Sequence, residues 1–279
     1  MSSPPYPWII AVVAVLAAAG AGFALLNQPS AAPADEGAAD AAYALIQLQS
    51  GITRALETLD HRLGHAAPAI GDPALNDDAA RAILADLSRT DPAIVDCTAS
   101  NTEGTLIIVE PEEYHGTEGA DIRNQTIVQH VLASKRPIMS EVITVAEGFP
   151  AVVINTPIFT SESRFVGFTS IVFQPDVLIA GVAGPVVSGT PFQVMVVQTD
   201  GRVLYDTDQN QIGRMTFEDP LYADYPDLLD AARRVSAERC GTATYAFAAG
   251  GQAVHKEIIW TTAGLHGVEW RVAVIRELG

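Results

Sequence analysis

Apolar positions change period along the chain, and each change marks a predicted element. Trp8 to Leu26 is a run of nineteen residues without a charge. At 1.5 Å per residue it makes roughly 28 Å of helix, about one hydrocarbon core. From Ala38 to Leu63 the pattern becomes helical: Leu45, Leu48, Ile52, Leu56, Leu59 and Leu63 recur at spacings of three and four, which draws one apolar stripe along a long helix. That stripe can dock on the domain that follows or pair with the same stripe of a second chain, and periodicity leaves both open. Pro68 to Pro73 is expected to break the helix, and Asn76-Asp77-Asp78 to cap a short one reaching Ser88.

Beyond Ala93 the pattern is that of strands. Ala93–Ser100 and Thr105–Glu110 flank a turn at Thr102-Glu103-Gly104, an acidic loop runs to Gly119, and a helix is expected over 124–135. Strands follow at Ile138–Val145, Ala151–Phe159 and Phe165–Phe173, and Gln174–Val187 reads as a bridging helix. The order then repeats. Phe192–Phe217 holds two strands about Asp200-Gly201, a strong hairpin signal because glycine supplies positive φ without steric cost. A loop at Gly213, a helix Tyr225–Ala237 and strands Thr242–Ala248, Lys256–Thr262 and Val268–Ile275 complete it. Gly104 and Gly201 lie 97 apart, Gly119 and Gly213 lie 94 apart, and Gly167 and Gly267 lie 100 apart. The fold class is therefore α+β: two copies of one unit, each a five-stranded antiparallel sheet with helices packed on one face.

Composition narrows the function. A hydrophobic fraction of 48% against 18% charged residues requires a packed core. A net charge of -17 repels nucleic acid and leaves no basic face for phosphates. Cys97 and Cys240 show no metal or redox spacing and read as free thiols rather than a disulfide. The run Trp8–Leu26 exceeds a usual signal-peptide core and lacks a basic leader, so an uncleaved anchor is favoured over a cleaved signal peptide. Acids at Asp35, Glu36 and Asp40 place the amino terminus inside and the bulk of the chain outside the cytoplasm.

The segments TEGTLIIVEP, GADIRNQTIVQHVLASKRPIMSEV, INTPIF and RFVGFTSIVF in the first copy, with TDGRVLYDTDQNQIGR and VEWRVAVIREL in the second, resemble the double Cache (dCache) sensor domain of prokaryotic extracellular receptors. The resemblance covers residues 38–279. It implies a membrane anchor and linker over 1–33, a long helix over 34–67, a membrane-distal PAS-like module over 68–187 and a membrane-proximal one over 188–279. It places a small-molecule ligand in the distal module, against Arg123, Gln125, Met139, Glu141, Val153, Asn155 and Thr169. The region IRNQTIVQHV lacks the aromatic pair of amino-acid-binding members, and Thr169 stands on the last strand where they carry aspartate. Arg123 at a helix start then points to a small carboxylate.

No P-loop, G-x-S-x-G, H-E-x-x-H or G-x-G-x-x-G occurs, so no enzyme activity, catalytic residue, metal or cofactor is expected. Asp206-Thr207-Asp208-Gln209-Asn210 imitates the start of a calcium loop, but Gln211 and Phe217 stand where glycine and glutamate belong. A solvated structural loop is expected there. His61 and His65 share a helix face with no third ligand nearby. No second span, kinase or coiled coil is read after the strand VEWRVAVIREL, so no transducer of its own is expected. The expected function is an anchored sensing module without its own transducer, acting through a partner receptor or by homodimerising along the long helix. The alternatives are a substrate-binding protein serving a transporter and, less favoured, an envelope hydrolase.

Overall fold

The computed structural model describes residues 36–72, 77–249 and 252–278. The apolar run Trp8–Leu26 lies outside them. Among the described residues no helix is long and apolar enough to cross a membrane.

Helix α1 (Glu36–Ile70) passes through Pro68 instead of stopping before it. A proline in a last turn removes only one N–H from the ladder, and the turn still closes, with Gly71 N–H donating to the Ala67 carbonyl at 3.0 Å. After α2 (Asp77–Ser88), the first sheet comprises β1 (Ile94–Asn101), β2 (Leu106–Glu110), β3 (Ile138–Met139), β4 (Ile143–Thr144), β5 (Pro150–Phe159) and β6 (Phe165–Phe173), with α3 (Thr126–Ser134) between β2 and β3. Helix α4 (Pro175–Val187) bridges to β7 (Gln193–Gln198), β8 (Val203–Asp206), β9 (Gly241–Ala249), β10 (Gln252–Leu265) and β11 (Val268–Glu277), with α5 (Pro226–Ala237) between β8 and β9.

Both sheets are antiparallel and share one topology. The first runs β2-β1-β6-β5-β3, with β4 also paired to β5, and the second runs β8-β7-β11-β10-β9. The single strand expected over 138–145 is two short pieces. Ser140 N–H still donates to the Val153 carbonyl at 2.9 Å, but Val142 N–H turns away and donates to Gln198 Oε1 of the second sheet at 2.6 Å. That bond ties the two sheets together.

The repeat is legible in single hydrogen bonds. Gly119 N–H donates to the Leu106 carbonyl and Gly213 N–H to the Val203 carbonyl, both at 2.8 Å; Ile122 N–H meets Gly104 O and Thr216 N–H meets Gly201 O, both at 2.9 Å. All four glycines have positive φ. The third pair differs: Gly167 lies inside β6, whereas Gly267 lies in the two-residue turn between β10 and β11, beside His266, which also has positive φ.

The stripe of α1 is spent within the chain. Leu48, Ile52, Leu56, Leu59 and Leu63 are fully buried in one core with Ile154, Ile171 and Phe173 of the first sheet and Val194, Val272 and Val274 of the second. Of the two uses the periodicity left open for that stripe, the chain takes docking: its leucines face the chain's own sheets. The opposite face of the first sheet packs under α3 through Val128, Val131, Val153 and Val172, and that of the second under α5 through Val197, Ala231, Val235 and Ile258.

Candidate functional site

Strand alternation decides which side chains reach the cover of the first sheet. Thr98 pairs with Ser170 and Ser170 with Asn155, while Asp96 pairs with Val172 and Val172 with Val153. These two rows face away from α1. Above them lie Val128 of α3, Ile122 and Gln125 just before it, and Val145–Glu147. Between rows and cover is a cavity of about 30 Å³, the room for a water or two.

Its floor is unusually polar for a core. Asn155 is 1% exposed, and neither its Oδ1 nor its Nδ2 has a hydrogen-bond partner; Ser100 Oγ in the same strand layer has none either. An amide or hydroxyl buried in this way costs roughly 1–3 kcal/mol. Asp96 is fully buried, faces the Glu147 carboxyl, and is held well above the usual carboxylate range, first by burial and then by the Glu147 charge. Burial, with the Asp96 charge added, likewise pushes the Cys97 thiol up. The loop leading to the cover is pinned from α2, where Arg81 reaches Glu110 and Glu118 at 2.8 Å each.

The raised Asp96 carboxyl has a stability consequence of definite sign. Between its unfolded value near 4 and its higher folded value, the native state holds a proton that the unfolded chain releases, so stability falls as pH rises through that window. Asp96→Asn, which mimics the protonated form, is expected to raise the melting temperature by a few degrees at pH 7.5 and to change it little near pH 4. The groups bearing on Asp96 are Glu147, Tyr114 and Cys97. Equal shifts at both pH values would remove burial of the charge as the cause.

Of the residues expected at a site, Gln125, Val153 and Asn155 line this cavity. Met139 and Thr169 do not. Met139 pairs with Ile154 and packs in the core under α1; Thr169 pairs with Ala99 and Thr156 on that same face, its Oγ1 donating to the Thr98 carbonyl at 2.7 Å. Glu141 is exposed. Arg123 also lies at the surface, its guanidinium on Asp121 at 2.6 Å, so the carboxylate expectation loses the cation on which it rested. Asp96, Thr98, Glu147 and Ser170 were missed. The signal for Asp96 was there: an aspartate inside the apolar strand AIVDCTAS is buried and needs a reason.

Elsewhere, Asp208 accepts from Asn210 N–H and caps the turn 209–211, as expected of a structural loop. Asp206 differs: it is half-buried, and its side chain lines a cavity in the second sheet. His61 and His65 meet at 3.1 Å between Nε2 atoms on an exposed face, and no cluster of three metal-ligating side chains occurs among the described residues. Cys97 is buried and Cys240 exposed, both free.

Residues 54–175 match the family model described as "HK/GC/Chemotaxis protein-like, sensor domain". Among solved structures, an extracellular ligand binding receptor from Desulfohalobium retbaense is 26% identical with a TM-score of 0.70; the match covers 84% of this chain and 39% of that one. The chain thus spans about two-fifths of that receptor. The ligand-binding domain of the Pseudomonas aeruginosa amino acid chemoreceptor PctC, solved with GABA, is 17% identical over 87% of this chain and 100% of that one, at TM-score 0.60. The ligand-binding domain of the Campylobacter jejuni chemoreceptor Tlp3, solved with 4-methylisoleucine, is 10% identical over 87% and 91%, at TM-score 0.64. No curated protein matches.

Proposed function

We propose that the chain is a double Cache sensor domain and that it senses a small amine-bearing molecule outside the cytoplasm, bound in the cavity under α3. The observation that supports this reading is the unpaired amide of the buried Asn155, set in a cavity wall. A ligand that donates to Oδ1 and accepts from Nδ2 removes the cost of that burial. The Glu147 carboxyl lines the cavity and, among the described residues, no basic side chain does, while the neutral, buried Asp96 carboxyl beneath it adds no positive charge, which favours an ammonium group over the carboxylate first expected. Anchoring by Trp8–Leu26 and a signalling role through a partner belong to the same reading. With about 30 Å³ available, the cover over 122–147 must move outward for anything larger than water.

Thermal shift of the purified chain against amino acids, small amines and small carboxylates tests this. An amine at a hundred times its Kd is expected to stabilise by about 2.7 kcal/mol. Asn155→Ala abolishes that shift, whereas Arg123→Ala leaves it intact. A response to carboxylates alone, or to nothing in the panel, would sink the proposal.

A further inference from the structure

The second sheet encloses a much larger cavity on the face equivalent to the first, away from α1. It lies between that face, α5 and the loop 207–225, and measures about 410 Å³, within the range of roughly 300–1,000 Å³ that small-molecule sites occupy. Its wall is largely apolar, from Val197, Val203 and Ile258 of the sheet and Leu228 and Val235 of α5. Set into it are the Asp206 carboxyl and the Phe217, Tyr222 and Tyr245 rings.

Asp206 ends β8 opposite Met195, so alternation turns it inward. Both its hydrogen bonds fall on Oδ1, from Asp208 N–H at 2.8 Å and Thr207 Oγ1 at 3.5 Å. The cavity's lysine, Lys256, is already engaged: its Nζ donates to Gln193 Oε1 at 2.6 Å. Its attraction does not offset burial, which pushes Asp206 up to about 6. A partly dry carboxylate among aromatic faces, in an apolar chamber, has the chemistry that holds organic cations.

We propose that this cavity is a second ligand site, independent of the one under α3, and that it takes a small organic ammonium ion with an apolar body, the charge seated against Asp206 and the Tyr222 and Tyr245 rings. Binding follows the ionisation of Asp206. The groups that bear on it are Asp208 of the loop, Tyr205 of β8, Tyr222, Tyr245 of β9 and Lys256 of β10. Burial raises all three tyrosines above their ordinary value, so they stay neutral, and Asp208 is held low by its bonds from Gln211 and Asn210.

The test is a titration of the isotopically labelled chain with 2-phenylethylammonium, followed by backbone amide NMR, with 2-phenylethanol and 3-phenylpropionate as matched neutral and anionic probes. The ammonium is expected to move amides around Asp206, Tyr222 and Tyr245 and to bind at least tenfold more tightly than either control. Asp206→Asn weakens it at least tenfold, and lowering the pH from 7.5 to 5 weakens it as Asp206 takes up its proton. Tight binding of the alcohol or the carboxylate, no perturbation, or shifts confined to Thr98 and Ser170 under α3 would each overturn the assignment. Because the unsubstituted chain reports the location, the result stands even if Asp206→Asn misfolds, and it is separable from success or failure at the first cavity.

Discussion

Gly167→Ala is expected to lower the melting temperature by roughly 10 °C. Gly167 sits in β6 at φ +147°, and a Cβ there would lie 2.0 Å from the Ser100 carbonyl oxygen of β1. That neighbour is backbone held in the β1–β6 ladder, where Asn101 pairs with Gly167, so it cannot swing aside. The strained φ costs about 1–3 kcal/mol and overpacking adds about 1–3 kcal/mol. At ~2–4 °C per kcal/mol for a chain of this size, the sum gives the stated shift. Gly181→Ala is the matched control: it lies in α4 with open space around it, and removing a helical glycine there is expected to stabilise by about 0.5–1 kcal/mol. Scanning calorimetry of both variants decides it, and a Gly167→Ala chain melting with the wild type would refute the clash.

Leu56→Ala is expected to destabilise by about 2–5 kcal/mol, the cost of emptying a fully buried leucine site. Leu56 is 0% exposed at the middle of the α1 stripe, in the core that takes side chains from both sheets. Ile46→Ala, ten residues earlier on the same helix but 63% exposed, is expected to stay within about 0.5 kcal/mol. Urea denaturation separates them by midpoint. Equal effects would mean that the stripe is not what α1 contributes.

The elements were largely readable because their periods are strong and their turns carry glycine at positive φ. The repeat was readable for the same reason, as the matched bonds of Gly119 and Gly213 attest. The site was only half readable. Val153 and Asn155 line one cavity because residues two apart in a strand share a face. Thr169 and Met139 lie on the opposite face, toward α1, because the register pairs Asn155 with Ser170 and Ile154 with Met139, and a one-residue difference in register reverses every side chain. That register depends on the path between strands, which composition does not encode. For Asp206 the same holds: whether the last residue of β8 points outward or into a chamber depends on its partner Met195. The chambers themselves are differences in volume between layers, invisible until the layers are stacked.

At 1.5 Å per residue, the 35 residues of α1 make a rod about 50 Å long. Both cavities lie on the far side of their sheets from it. A cover that moves over either cavity therefore reaches the rod only by displacing the sheet between them, and close-packed leucines yield by sliding from one interlocked position to the next rather than by bending. On the two proposals above, separate inputs would act on one axle, the leucine stripe that both sheets share.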